Sequence, residues 1–204
     1  MADVSVAVQD SLFDHAERRQ LEHGAWIDVR SGWIEDVEWG RTLFDELRDG
    51  IAWRAERRKM YDRVLDVPRL VSFHHLLDEP VPHPALKQMR RRLNDIYAGE
   101  LGEPFVTAGL CYYRDGEDSV AWHGDNIGRS RTEDTMVAIV SLGAARTFAL
   151  RPRGGGHSLR IQHGHGDLLV MGGSCQRTWE HAIPKTTKPT GPRISIQFRP
   201  RDVR

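Results

Sequence analysis

Three side chains of the sequence have the types and the spacing of a metal-binding set. His123 and Asp125 stand two residues apart in the run AWHGD, and His181 follows later in TWEHAIPK. On a strand or at its end, residues two apart project to the same side, so the imidazole and the carboxylate can converge. Two histidines and one carboxylate on one face are the ligand set of non-haem Fe(II) oxygenases. Zinc accepts similar atoms, so the spacing alone leaves both metals open.

The run GPRISIQFRP carries a second chemical signal. Arg193 and Arg199 share one face of a predicted strand, as do Ser195 and Gln197 between them, and the alternate apolar residues point into the core. Two arginines on one face of such a strand are costly unless an anion lies against them. A dicarboxylate fits, with one end on an arginine and the other end on the metal. The alternative is an edge strand whose arginines lie in solvent.

Two helices precede these motifs. Apolar residues at helical spacing from Gly40 predict the first, and Pro84 and Gly99 mark the start and the end of the second. Between them, residues 53–75 are basic at first and are broken by Pro68. This segment lacks a clear periodicity, and we predict a long ordered loop.

After Pro104 the sequence changes to about eight short β-rich runs separated by Gly, Asp or Pro, the pattern of a sandwich or barrel. Together with the helices, this predicts an α+β fold with a double-sheet jelly-roll core and the N-terminal helices packed on one sheet. We expect a loosely ordered segment over residues 1–20 and a single domain over residues 21–204.

Composition excludes several classes of protein. The 29 Lys and Arg residues balance 29 Asp and Glu residues, which argues against binding by bulk electrostatic attraction to phosphate. No run approaches the roughly 20 apolar residues of a membrane span, and the N-terminus does not resemble a signal peptide. The two cysteines cannot build a disulfide framework. These features predict a cytoplasmic protein without membrane contact, and we expect a monomer.

Four motifs in order resemble the AlkB-type 2-oxoglutarate- and Fe(II)-dependent dioxygenases: YRDGEDSVAWHGD, SLGAARTFALRP, GDLLVMGGSCQRTWEHAIPK and PRISIQFR. The resemblance covers roughly residues 50–200. It implies a double-stranded β-helix, iron binding by the two histidines and the aspartate, and 2-oxoglutarate binding by Tyr113, Arg193 and Arg199. O₂ would be the second co-substrate. The family's commonest activity is oxidative demethylation of N-alkylated bases in DNA or RNA, which releases formaldehyde, succinate and CO₂.

The sequence departs from the family pattern at three positions. Cys111 and Ser195 stand where the family usually has asparagines near the co-substrate, so a hydrogen bond is lost at each without loss of charge. Ile127 stands where repair members tend to have an acidic residue that contacts the damaged base. An isoleucine cannot form that hydrogen bond.

Residues 53–75 resemble the family's nucleotide-recognition lid, with its PRL turn at Pro68-Arg69-Leu70. A base would be flipped out of its stack and held by aromatic side chains. The positions predicted to contact substrate are Tyr61, Arg69, His75, Trp122 and Ile127. His163 and His165 also have metal-like spacing, but both precede Asp167 in a predicted turn, and we expect a solvent-exposed or turn role for them.

Three alternatives to nucleic-acid demethylation stay open. A hydroxylase of a small molecule or a protein side chain would use the same iron chemistry, and Ile127 and the zero net charge favour it. A non-catalytic binding module would have no need of the complete set of metal and arginine residues. A zinc hydrolase lacks its general-base Glu motif near His123 or His181.

Overall fold

Two antiparallel β-sheets face each other and enclose the polar residues singled out above. The computed structural model describes residues 16–60 and 63–203. The strands of the larger sheet, in spatial order, are β1 (Ala16–Gln20), β2 (Ala25–Arg30), β10 (Leu168–Gly173), β7 (Val137–Gly143), β12 (Arg193–Arg199), β5 (Thr107–Tyr113), β4 (Arg63–His75) and β3 (Arg54–Met60). Those of the smaller sheet are β6 (Val120–His123), β11 (Trp179–Ile183), β8 (Arg146–Pro152) and β9 (Leu159–His163).

Two long helices cover the outer face of the larger sheet. The first, α1 (Val37–Gly50), begins where the Asp36 side chain accepts a hydrogen bond from the Trp39 backbone N–H. The second, α2 (Pro84–Leu101), has proline in its first turn, where a missing N–H costs nothing. A single helical turn, α3 (Cys175–Thr178), precedes β11. None of these helices is long and apolar enough to cross a membrane within the described ranges.

Strand alternation gives the larger sheet two different faces. On β12, Ile194, Ile196 and Phe198 belong to the apolar core beneath the helices. The alternate residues face the smaller sheet, where a second apolar cluster includes Tyr113, Phe148 and Trp179. The predicted jelly roll with helices on one sheet is therefore confirmed, and its interior between the sheets holds the polar groups.

Residues 54–60 and 63–75 differ from the loop that the sequence predicts. They form a hairpin in which β3 is the edge strand and β4 pairs with β5 over Leu70–His75. A register shift between Ala55 and Arg57 lies opposite Pro68, which has no N–H to give to the ladder. The predicted PRL turn is thus the interior of a strand. An edge strand rich in charged residues shows no apolar alternation, which hid it from pattern analysis.

Two helix and strand boundaries also differ from expectation. Helix α2 continues through Gly99, and Gly102 caps it in the left-handed conformation with φ of 78°. Residues 16–20, inside the segment expected to be loosely ordered, pair along their length with β2. Residues 1–15 lie outside the described part of the chain.

Two glycines test the packing of this fold. A Cβ built on Gly172 would lie 2.1 Å from Cζ2 of Trp26, its partner on β2, whereas a Cβ on Gly99 meets no atom within 4 Å. Gly172→Ala should lower the free energy of unfolding by about 1–3 kcal/mol through overpacking. Gly99→Ala should raise it by about 0.5–1 kcal/mol, because alanine favours the helix. Urea denaturation of both variants checks this; equal effects would contradict the packing of Trp26.

Candidate metal and co-substrate site

The three predicted metal ligands meet at the inner side of the smaller sheet. His123 at the end of β6 and His181 on β11 are register partners, with ring centroids 4.2 Å apart. One ligand atom from each, together with a carboxylate oxygen of Asp125, lies within 4.8 Å of the others. Asp125 and His181 are buried, and His123 is half-exposed. Such a cluster fits a metal that keeps further positions open for other ligands.

A buried arginine fixes the carboxylate of this cluster. Arg199 donates from Nε and Nη2 to Oδ2 of Asp125, at 3.0 and 2.7 Å. The other oxygen, Oδ1, lies 3.8 Å from Nε2 of His123. Burial acts to raise the pKa of Asp125, but Arg199 and the two histidines outweigh it and hold the pKa well below its usual range. The carboxylate is therefore ionised and oriented.

Contacts within the chain orient the two imidazoles. Nδ1 of His123 lies 2.9 Å from the carbonyl oxygen of Ala121, so Nδ1 is a donor there and Nε2 is the nitrogen that faces Asp125. The ring of His181 stacks on Phe148 at 5.4 Å and 12°. Burial, with the neighbouring His123, lowers the pKa of His181 to about 3, so this ring is neutral near pH 7.

A second cluster surrounds Arg193 at the other end of β12. Arg193 is 1% exposed; its Nε donates to the Ser141 hydroxyl at 2.9 Å, and its Nη2 donates to Nδ1 of His163 at 3.2 Å. Nη1 is buried without a hydrogen-bond partner among the described residues. No carboxylate takes part in these contacts, so the guanidinium charge fits an anion supplied from outside the chain.

Tyr113 lies between two arginines in this cluster. Its ring centroid is 5.3 Å from Cζ of Arg193 and 5.7 Å from Cζ of Arg146. Arg146 is itself buried and donates to three backbone carbonyls, those of Asp115, Asp118 and Pro184. The sequence motifs predict Tyr113 but not Arg146 as a residue of this cluster, although Arg146 alternates with the apolar Phe148 on one strand and so shares its inward face.

The sequence predicted a solvent-exposed or turn role for His163, and this prediction is wrong. It ends β9, is fully buried and joins the Arg193 cluster. Its Nε2 lies 3.1 Å from the carbonyl oxygen of Asp167, so Nε2 carries the proton and Nδ1 accepts from Arg193. Burial and the Arg193 charge lower the pKa of His163 to about 3. His165 is half-buried, and its Nδ1 accepts the Gly143 N–H at 3.0 Å.

Cys111 and Ser195 are buried register partners on β5 and β12, between the two clusters. The side-chain amide nitrogen of Gln197 lies 3.4 Å from Sγ of Cys111 and 3.3 Å from Oγ of Ser195. On the neighbouring strand, Arg69 is half-buried, with Nε enclosed and without a partner among the described residues. Its Nη1 donates to the Ser119 carbonyl at 3.3 Å. Arg69 therefore faces this interior from β4.

The other predicted substrate contacts do not converge. Trp122 lies on the outer face of the smaller sheet, away from the site. Its ring lies under the guanidinium of Arg151 at 4.2 Å, and Arg151 pairs with Glu180. Arg151 and Glu180 alternate with inward-facing residues on their strands, so they and Trp122 face outward. Ile127 is 67% exposed in the loop after the metal ligands. Tyr61 lies outside the described residues.

A cavity of about 310 Å³ lies beside β4 and the start of β5, and its lining includes none of the three metal ligands and neither Arg193 nor Arg199. Phe73 and His75, both exposed on β4, line it with their rings edge-on at 5.4 Å. A Cβ on Gly109 would lie 3.0 Å from Nη1 of Arg199 and 3.8 Å from Cδ2 of Phe73, so the aromatic ring neighbours the arginine that holds Asp125. Of the predicted substrate contacts within the described ranges, His75 alone lines this cavity.

Comparisons with known proteins place the chain among oxygenases. Residues 74–199 match the model of the 2OG-Fe(II) oxygenase superfamily. The human protein named alpha-ketoglutarate-dependent dioxygenase alkB homolog 3 is 28% identical over 188 residues, covering 81% of this chain and 62% of that protein. DNA oxidative demethylase ALKBH2 of Arabidopsis thaliana is 28% identical over 195 residues, covering 78% and 61%. The chain thus spans about three fifths of the length of these relatives.

A solved structure shares the fold. A prolyl hydroxylase from Trichoplax adhaerens, in complex with a peptide of the hypoxia inducible factor oxygen degradation domain, superposes with a TM-score of 0.62. The alignment covers 86% of this chain and 83% of that one at 11% sequence identity. At this identity the likeness shows the fold alone.

The neutral state of His163 predicts a pH dependence. In the unfolded chain the pKa of His163 is about 6.5, so its imidazole becomes protonated below that pH. In the folded chain the same imidazole stays neutral down to about pH 3. Stability therefore falls as the pH drops, by about 2 kcal/mol from this residue at pH 5. Urea denaturation at pH 7 and 5 should show that His163→Gln loses less stability than wild type, with exposed His157→Gln as control. Equal losses would contradict the buried neutral ring.

Asp125 and His123 should separate metal binding from folding. Both Asp125→Ala and His123→Ala should abolish Mn(II) binding measured by calorimetry. Without metal, Asp125→Ala should also lower the free energy of unfolding by about 3–5 kcal/mol, because it leaves the Arg199 charge buried and unpaired. His123 is half-exposed, so its truncation should cost far less. Similar losses in the two metal-free variants would show that the Arg199–Asp125 pair is not a buried structural contact.

Proposed function

Because the chain belongs to the 2OG-Fe(II) oxygenase superfamily, as an AlkB-type member, we propose that it is a dioxygenase that removes alkyl groups from bases of DNA or RNA. Fe(II) would be its metal, and 2-oxoglutarate and O₂ its co-substrates. The main support for this proposal is that one jelly-roll interior contains both a cluster of two histidines and one carboxylate and a buried arginine, Arg193, that contacts no carboxylate among the described residues.

The residues present fit these groups. His123, Asp125 and His181 would hold the iron through two imidazoles and an ionised carboxylate, the donor types that Fe(II) accepts. The open Nη1 of Arg193, beside Tyr113, would take a carboxylate of 2-oxoglutarate. When bound, the iron and its co-substrates supply the oxidation of a C–H bond; on an N-methyl group this yields formaldehyde and the bare base.

The protein's own contribution is orientation and exclusion of water. Arg199 keeps Asp125 ionised and fixes which of its oxygens faces His123. Ser141 and His163 hold the Arg193 guanidinium so that it needs no reorganisation when an anion arrives. Phe148, itself buried, stacks on the His181 ring and excludes water from that side of it.

The cavity lined by Phe73 and His75 supports a nucleobase as substrate. Phe73 is 46% exposed there, an unusual position for a large aromatic ring, and it offers a stacking surface for a flipped base. His75 stands beside it, and Asp78 and Arg201 of the same lining provide an acceptor and a donor for base edges. The relatives named as DNA demethylases act on substrates of this class.

The exposed Ile127 favours a second candidate, a hydroxylase of a small molecule or a protein side chain. Ile127 follows Asp125 by two residues and is 67% exposed, so it offers an apolar contact rather than a hydrogen bond to a substrate. A substrate whose reacting part is aliphatic suits such a contact.

Formaldehyde release from single-stranded DNA and RNA carrying 1-methyladenine or 3-methylcytosine tests the proposal. The assay contains Fe(II), ascorbate and 2-oxoglutarate. Wild type should release formaldehyde, His123→Ala should release none, and Phe73→Ala should lower kcat/KM by about tenfold or more through lost stacking. Succinate formed without formaldehyde from any oligonucleotide would reject the nucleobase substrate and favour the second candidate. Absence of both products would reject the dioxygenase itself.

A further inference from the structure

The backbone of Asp125 lies outside both sheets. Strand β6 ends at His123, and Asp125 follows Gly124 in a segment that is neither strand nor helix. Pairing with β11 therefore fixes His123 but leaves the position of Asp125 open. A metal ligand must be held within about 0.5 Å of its productive position. Contacts other than strand pairing must hold the Asp125 backbone.

Gln176, on the helical turn α3, provides such a contact. Its Oε1 accepts the backbone N–H of Asp125 at 2.9 Å, and Gln176 is 1% exposed. A backbone N–H can only donate, so the amide oxygen faces Asp125 and the NH₂ faces away from it. This NH₂ lies 3.7 Å from Sδ of Met171, which is a weak acceptor. Among the described residues, the strong side-chain hydrogen bond of Gln176 therefore goes to a metal ligand.

The turn that carries the ligands packs directly on α3. A Cβ built on Gly124 would lie 2.6 Å from the backbone oxygen of Gln176 and 3.2 Å from that of Trp179. A larger residue at this position would have to displace that backbone. Helix α3 leads directly into β11, the strand of His181. One helical turn therefore connects the backbone of Asp125 with the strand that carries the third ligand.

Two further contacts hold Asp125 at other atoms. Arg199 orients the carboxylate, and the Ser130 hydroxyl donates to the carbonyl oxygen of Asp125. Within the described part of the chain, Gln176 is the partner of the backbone N–H. Because the other two contacts would persist, loss of the Gln176 acceptor should displace Asp125 rather than unfold the segment.

We propose that Gln176 is a positioning residue of the metal site. Its amide oxygen fixes the backbone of Asp125 and thereby sets the distance of the carboxylate from His123 and His181. This role rests on the proposed function, which makes these three residues the metal ligands. Gln176 touches neither metal nor substrate and acts through Asp125. Loss of a hydrogen-bond partner behind a ligand typically costs about ten- to a hundredfold in metal affinity.

Two substitutions remove the contact in different ways. Gln176→Met keeps the length of the side chain and removes the acceptor oxygen. Gln176→Asn keeps the amide but shortens the side chain, so the oxygen no longer reaches Asp125. The matched control is Ser174→Ala in the same turn. It removes the contacts of the Ser174 hydroxyl with the His23 carbonyl and the Thr178 hydroxyl, and it leaves the Asp125 contact in place.

The measurement is calorimetric titration of Mn(II) into each metal-free protein. Urea denaturation records the stability of each variant, and the visible absorption of the Co(II)-loaded protein reports the coordination geometry. Both Gln176 variants should raise the Kd for Mn(II) by about tenfold or more and change the Co(II) spectrum. Ser174→Ala should lower the urea midpoint, yet keep the wild-type spectrum and a Kd within about twofold of wild type.

An unchanged Mn(II) Kd in either folded Gln176 variant overturns the positioning role and leaves the metal site intact. A Kd that rises as much in Ser174→Ala also overturns it, because the stability of α3 rather than the acceptor would then control the site. Loss of the folded state in both Gln176 variants overturns it as well, since Gln176 would then serve the fold as such. Wild-type protein that binds no Mn(II) rejects the metal site of the proposed function, and the role of Gln176 with it.

Discussion

The buried contact between Arg199 and Asp125 is the constraint on which the site depends. It joins the last residue of a core strand in the larger sheet to a residue that follows the edge strand of the smaller sheet. Two opposite charges removed from water are costly unless their geometry is good, and here both hydrogen bonds end on one carboxylate oxygen. The second oxygen is thereby directed to the histidines, so the contact that ties the sheets together also prepares the metal site.

A similar logic governs the other end of β12. Arg193 is buried with hydrogen bonds to a hydroxyl and a neutral imidazole but with no negative partner. On the same face of one strand, Arg199 is therefore paired with a carboxylate and Arg193 is not. The unpaired charge of Arg193 lowers the stability of the fold, and this cost is recovered when an anion binds to it, which favours binding of a charged co-substrate.

Much of this could be predicted from the sequence, because strand alternation fixes the direction of side chains within one element. The even spacing of Arg193 and Arg199, and of His123 and Asp125, placed each pair on one face, and the resemblance to AlkB-type dioxygenases is confirmed by the family match. The errors arose where direction depends on another element. Trp122 neighbours a metal ligand in sequence yet stacks on the outer-face Arg151, and β3 went unrecognised because an edge strand needs no apolar face. His163 looked like a turn residue because the strand that ends there buries it against residues distant in sequence.

The position of β6 at the edge of the smaller sheet has a consequence for the lifetime of the protein. This strand has four residues and, among the strands that the structure describes, pairs with β11 alone, so it belongs to the part of a fold that opens without global unfolding. An ion that bridges His123 and His181 would bind the closed form only, and it would lower the population of the open form in proportion to its saturation. Metal supply would then set how long this edge resists proteases and unwanted strand pairing, independently of any turnover.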